Sequence, residues 1–158
     1  MEYRFYGWKS ADIAPTDEKY AEISSPLVLY DMLSEIWCRY TCAPRLREKW
    51  SPDNITLGQC SITAFLAQDI FGGSVLGLLR SGGNYHCYNK VGDVVFDLTS
   101  EQFGDERLVY GDDPEQLRLI HFAKREKLKR YEYLKAELDK RLELKRHGAS
   151  DSISAPMP

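Results

Sequence analysis

The sequence predicts an α+β domain in which a central helix packs on a small antiparallel sheet and a long helix follows. Three observations lead there. Between Leu57 and Gly73, apolar side chains recur at helical spacing and run into Gly72-Gly73, with Cys60 in or just before the first turn. Residues 74–98 read as three short β-prone runs, broken at Ser81-Gly82-Gly83-Asn84 and at Gly92-Asp93. From about 115 to 147, Leu128, Tyr131, Leu134, Leu138 and Leu142 form one apolar stripe of a long helix.

A chain of 158 residues fits one domain of ordinary size. With 43% hydrophobic and 28% charged residues it has the composition of a folded globular protein, so disorder is not the default. The expected layout is one domain over 1–147, with its core at about 45–110, its long helix at about 115–147, and 148–158 as a disordered tail. A net charge of −3 weighs against a dedicated nucleic-acid binder. No apolar run reaches the ~20 residues that span a bilayer, so no membrane partner is expected. The start, Met1-Glu2-Tyr3-Arg4-Phe5-Tyr6-Gly7, lacks the layout of a secretory signal. Cys38, Cys42, Cys60 and Cys87 form no C-x-x-C frame, and they read as reduced thiols of a cytoplasmic protein.

Residues 1–24 show no sustained period and read as an arm or edge piece. Ser24-Ser25-Pro26 is a helix start, with a hydroxyl cap and a proline in the first turn. Leu29, Leu33, Ile36, Trp37 and Tyr40 then recur at helical spacing until Pro44. A polar connector covers 45–56. In the central helix, Ile62, Phe65, Leu66 and Ile70 share a face, and the two glycines close it. Ser74 to Leu79 is a short aliphatic strand. Tyr85 to Val91 and Val94 to Leu98 make a hairpin if Gly92-Asp93 is its two-residue turn.

The candidate chemistry gathers at Cys60, His86 and Asp97. A helix start presents unpaired N–H groups and partial positive charge, which favour a thiolate over a thiol. The same N–H groups suit the oxyanion of an acyl-transfer intermediate. With the two-residue turn, Val91 faces Val94, Asn89 faces Phe96 and Tyr88 faces Asp97. His86 then shares a face with Asp97 as its diagonal neighbour, within side-chain reach. A one-residue slip would send the pair to opposite faces. Each residue alone has a plainer role: a packed cysteine, a satisfied strand histidine, an aspartate capping the turn at Thr99-Ser100. Together they have the order of a nucleophile, its base and an orienting carboxylate.

The run Trp50-Ser51-Pro52, Gly58-Gln59-Cys60, Thr63-Ala64, Gln68-Asp69, Gly72-Gly73, His86-Cys87-Tyr88-Asn89 and Asp97 through Phe103 resembles the YunG-like family of small bacterial proteins. That resemblance brings kinship without an activity. More distantly, G-x-C on a helix, H-x-aromatic on a strand and D-x-T on the next is similar to the transglutaminase-like branch of the papain-like fold. It implies a papain-like or transglutaminase-like core, with Cys60 as nucleophile, His86 as general base and acid, and Asp97 as orienting carboxylate. The segment between Cys60 and His86 is short for such domains. Gln59, Asn54 and the indole of Trp50 are candidate oxyanion donors, Gln59 first because it adjoins the cysteine. Tyr88 is a candidate substrate contact.

The implied function is thiol-dependent acyl chemistry on a protein or peptide amide (hydrolysis, deamidation or amine transfer), with no cofactor and no metal. The alternative is a non-enzymatic interaction protein that binds a partner through its C-terminal helix. Cys38 and Cys42, at i and i+4, could join Cys60 and Cys87 or His86 around zinc, but the spacing lacks a metal knuckle. Cys87 alternates with His86 and is expected in the core. Residues 115–147 hold eleven Lys and Arg against six Asp and Glu, a pattern that suits a solvated helix face. The apolar stripe of that helix can dock on its own domain or form a homodimer.

Overall fold

The computed structural model describes residues 4–154. Helix α1 spans Pro26–Leu33, with Ser25 capping it through a hydrogen bond from the Val28 N–H and proline in the first turn. It is shorter than its apolar spacing predicts. The Ser34 hydroxyl donates back to the carbonyls of Tyr30 and Asp31, and Thr41 Oγ1 accepts from the Cys38 N–H, so side chains compete with the helical ladder. Ile36 and Trp37 are still buried, and the Trp37 indole donates to Thr63 Oγ1 at 2.9 Å.

Helix α2, Cys60–Phe71, is the centre of the domain. Ile62, Thr63, Ala64, Phe65, Leu66 and Ala67 are all buried, so the helix is enclosed around its circumference rather than along one stripe. It packs against the sheet on one side and a long helix on the other. Gly73, at φ +75°, turns the chain back; a Cβ there would stand 2.3 Å from the Lys90 carbonyl oxygen.

Strands β1 (Ser74–Leu79), β2 (Tyr85–Val91) and β3 (Val94–Phe96) form an antiparallel sheet in that order. Val91 pairs with Val94 and Asn89 with Phe96, the register of a two-residue Gly92-Asp93 turn. Both edges are covered, one by the N-terminal stretch that sequence pattern left open and the other by residues assigned to the start of the long helix. Tyr6 bridges Asp97 beyond β3, and Glu115 bridges Leu76 on β1. These contacts satisfy edge N–H and C=O groups that would otherwise be free to pair with another chain.

The Glu115 bridge also corrects the start of the long helix. The Gln116 N–H donates to the Val75 carbonyl and the Gly77 N–H to the Pro114 carbonyl, holding 114–116 extended. A single turn follows, α3 at Arg118–His121, before α4 begins at Arg125. Arg118 fastens α3 to α2 by donating to the Phe65 carbonyl at 3.0 Å and to Asp69 at 2.7 Å. Helix α4 runs Arg125–Ser154, past His147 into the stretch whose composition suggested a tail; 155–158 lie outside the described residues. Leu134, Leu138 and Leu142 are fully or almost fully buried in the domain's own core. Each such leucine contributes about 1.5–3 kcal/mol of burial.

No helix among the described residues is long and apolar enough to cross a membrane.

Candidate functional site

Cys60 is the first residue of α2, and the backbone before it is tightly set. Gly58 has φ +71°, and its carbonyl accepts from the Ala43 N–H at 2.9 Å. A Cβ at Gly58 would lie 2.5 Å from Cys42 Sγ, so glycine is required twice over, for conformation and for space. No side chain caps α2, which leaves the partial positive charge of its N-terminus uncompensated beside the thiol.

His86, near the start of β2, donates from Nε2 to Asp97 Oδ2 at 2.6 Å, with both side chains almost fully buried. Asp97 directly follows β3 and is saturated. Its Oδ2 also accepts from the Tyr110 hydroxyl at 2.6 Å, and its Oδ1 accepts from the Thr99 N–H at 3.2 Å and the Thr99 hydroxyl at 3.4 Å. A buried carboxylate with that many donors has a fixed direction. The Phe103 ring stands edge-on to the imidazole at 4.7 Å and carries Arg80 over its face at 4.6 Å. With Nε2 committed to Asp97, Nδ1 is the ring nitrogen left for the sulfur of Cys60.

Cys60 lies close enough to Cys87 and His86 for both to shift its pKa, and all three side chains line one cavity. The Cys87 S–H is the largest influence holding the Cys60 pKa well below the ordinary thiol range; burial opposes this, and the His86 hydrogen bond and charge reinforce it. Cys87 moves the opposite way, well above the usual range, because it is the donor to Cys60 and is buried. For His86, burial disfavours the cation, but the charge and hydrogen bond of Asp97 and the contact with Cys60 outweigh it and push the pKa up to about 10. Both directions favour a thiolate beside an imidazolium, with the Asp97 carboxylate behind the ring. Thiolate is the nucleophilic form, and the imidazolium is a proton donor already in place.

Cys60, His86 and Cys87 line one cavity of about 760 Å³, together with Gln102 and Phe103, the 80–85 loop, the 43–46 turn and the start of α4. Cys87 faces α2, as strand alternation requires, and belongs to the core cluster while also touching the candidate nucleophile. Its contact with Cys60 was not legible in the sequence.

The other candidates stand away from the cavity wall. Gln59 is fully buried, and its Nε2 donates to the Cys38 carbonyl at 3.1 Å. The Trp50 indole donates to the Ile55 carbonyl at 3.0 Å, and Asn54 closes a tight turn with Ser51. The Tyr88 hydroxyl donates to Asp113. Sequence reasoning passed over Tyr110, whose contact with Asp97 depends on the course of a loop, and it gave Phe103 no separate role. Among the described residues, no group of three or more His, Cys, Asp or Glu side chains is arranged to hold a metal ion.

No solved structure matches this chain. The chain is 38% identical over 72 residues to "Uncharacterized protein YunG" of Bacillus subtilis (strain 168), an alignment covering 46% of this chain and 57% of that relative. The family model described as YunG protein matches residues 25–143, a stretch that includes all of α1, α2, the sheet and the three residues Cys60, His86 and Asp97. The chain belongs to the YunG protein family.

Proposed function

We propose that this protein is a thiol-dependent acyl-transfer enzyme acting on a protein or peptide amide, with Cys60 as nucleophile. The observation that carries the reading is the buried His86–Asp97 hydrogen bond beside a cavity that Cys60, at the start of α2, and His86 line together. The fold reading that accompanies it is a small transglutaminase-like or papain-like core, in which a helix-start thiol meets a strand histidine and a carboxylate from the next strand.

In the proposed cycle the Cys60 thiolate attacks the amide carbonyl carbon. The oxyanion that forms is held by N–H groups of the first turn of α2, because the Gln59 amide donor is engaged elsewhere. The His86 imidazolium passes its Nδ1 proton to the leaving nitrogen as the C–N bond breaks, leaving a thioester and a neutral imidazole. Water or an amine then attacks the thioester, His86 takes the proton, and the thiolate is released. Asp97 keeps the ring oriented and its cation stable throughout.

The test begins with a limiting amount of a thiol-directed electrophile and mass spectrometry of the products. Cys60 is expected to be modified well ahead of Cys38, Cys42 and Cys87, and His86→Ala, with its fold checked by circular dichroism, is expected to lose that preference. Peptide amides offered with and without a primary amine should then yield hydrolysis, ammonia release or amine incorporation that Cys60→Ala abolishes. Equal labelling of the four cysteines, or no turnover of any amide, would overturn the reading.

A further inference from the structure

The cavity that Cys60 lines is rich in cations. Arg45, Arg80, Lys124, Lys127 and Arg130 line it, against a single carboxylate, Glu126. Two of these cations are satisfied within the protein: Arg80 pairs with Glu106 at 2.8 Å and Arg130 with Glu126 at 2.8 Å. Arg45, Lys124 and Lys127 make no ion pair among the described residues. Lys127 is half-buried, and burial lowers its pKa, followed by the charge of Lys124. The neighbouring Glu126 favours the Lys127 charge but is engaged by Arg130, and a half-buried ammonium outside ion-pair distance of any carboxylate among the described residues gains from an arriving anion.

The helix ends point the same way. The first turns of both α2 and α4 border the cavity, through Cys60 and Ser61 on one side and Glu126 and Lys127 on the other, so two positive helix ends converge there. His121, which also lines the cavity, has its Nε2 buried without a hydrogen-bond partner; burial lowers its pKa to about 4, so it is a neutral polar group without a partner and adds no charge. A concave site with low-dielectric walls focuses such a field and raises the local concentration of an oppositely charged ligand.

We infer that the cavity selects an acidic substrate, an amide flanked by aspartate or glutamate carboxylates, with Lys124 and Lys127 as the residues that recognise the charge. The inference deepens the acyl-transfer reading and rests on it for the word amide. The basic bias of residues 115–147 thereby acquires a local purpose at the N-terminal end of α4, where its charges line the cavity that the thiol also lines.

The experiment compares alkylation of Cys60 in the full chain by iodoacetate, which is anionic, and by iodoacetamide, which is neutral, each normalised to free cysteine. Iodoacetate is expected to be favoured about tenfold over the free-thiol ratio. His86 contributes to that preference, so the decisive arm is Lys124→Gln, at an exposed position, and Lys127→Gln, each expected to reduce the ratio about threefold with His86 intact. If amide turnover is found, a peptide carrying Glu beside the scissile amide should show a lower KM than its Gln counterpart, and the two lysine variants should erase the difference. A wild-type ratio equal to that of free cysteine, or a ratio unmoved by both variants, would overturn the anion-selective site. Loss of all amide turnover with the iodoacetate preference retained would overturn the acyl-transfer reading and its amide, while the charge selectivity would stand.

Discussion

The imidazole of His86 and the carboxylate of Asp97 meet at 2.6 Å although they are not partners across the ladder: His86 pairs with Leu78, and Asp97 lies one residue beyond β3. The bond is diagonal across the hairpin and depends on its two-residue turn. Asp97→Asn removes the charge and keeps the shape, so the His86 pKa should fall from about 10 toward the ordinary histidine range. A raised histidine pKa contributes stability that is fully present below about 6.5 and is lost as pH rises through about 10. Wild-type protein should therefore lose stability across that interval, and Asp97→Asn should show a shallower loss in melting temperature measured against pH. The alkaline limb of any amide turnover should move down in the same variant.

Cys87 is expected to act as the donor that holds the Cys60 thiolate. Cys87→Ala should shift the acid limb of the Cys60 alkylation profile upward by about one unit, the scale of a lost charge-assisted hydrogen bond of ~1.5 kcal/mol. Cys87→Ser keeps a donor and should shift it less. An unchanged profile in the alanine variant would show that the thiol of Cys87 packs without donating.

Gly58 sets the approach to the nucleophile. Gly58→Ala places a side chain at φ +71° and drives its Cβ toward Cys42 Sγ at 2.5 Å. The expected cost is about 2–4 kcal/mol, combining left-handed strain with overpacking. Thermal unfolding should occur about 5–15 °C lower, and the selective labelling of Cys60 should weaken as the helix start shifts.

Leu138 tests how α4 is held. It is completely buried in the core cluster, so Leu138→Ala should cost about 2–5 kcal/mol, whereas Leu144→Ala, at a position 68% exposed, should stay within about 0.5 kcal/mol. The wild-type melting temperature should not depend on protein concentration, because the leucine stripe docks on its own α2. A melting temperature that rises with concentration would instead place part of that stripe in a dimer.

Some elements were legible because their signals are local. The Gly92-Asp93 turn specifies the hairpin register, and period 2 along the strands then puts His86 and Asp97 on one face. The Gly72-Gly73 pair ends α2 where glycine alone tolerates the backbone. Other elements were illegible because distant partners decide them. Apolar spacing carried α1 beyond Leu33, but the hydroxyls of Ser34 and Thr41 take over its backbone groups. Helical pattern began the long helix near 115, but the open edge of β1 holds 114–116 extended.

Sequence alone determined the types and order of the chemical groups: a cysteine at a helix start, a histidine and an aspartate on a hairpin, and the turn that aligns them. Those choices follow from the chirality and steric limits of the backbone over a few residues, so neighbours suffice to read them. Only tertiary structure decided what surrounds the thiol. It brought Cys87 to Cys60 from the helix-facing side of β2, Tyr110 to Asp97 from a loop, and the cations around the start of α4 to the cavity that the thiol lines. Burial, hydrogen bonding and charge act through space, and these partners stand from 13 to more than 60 positions apart along the chain.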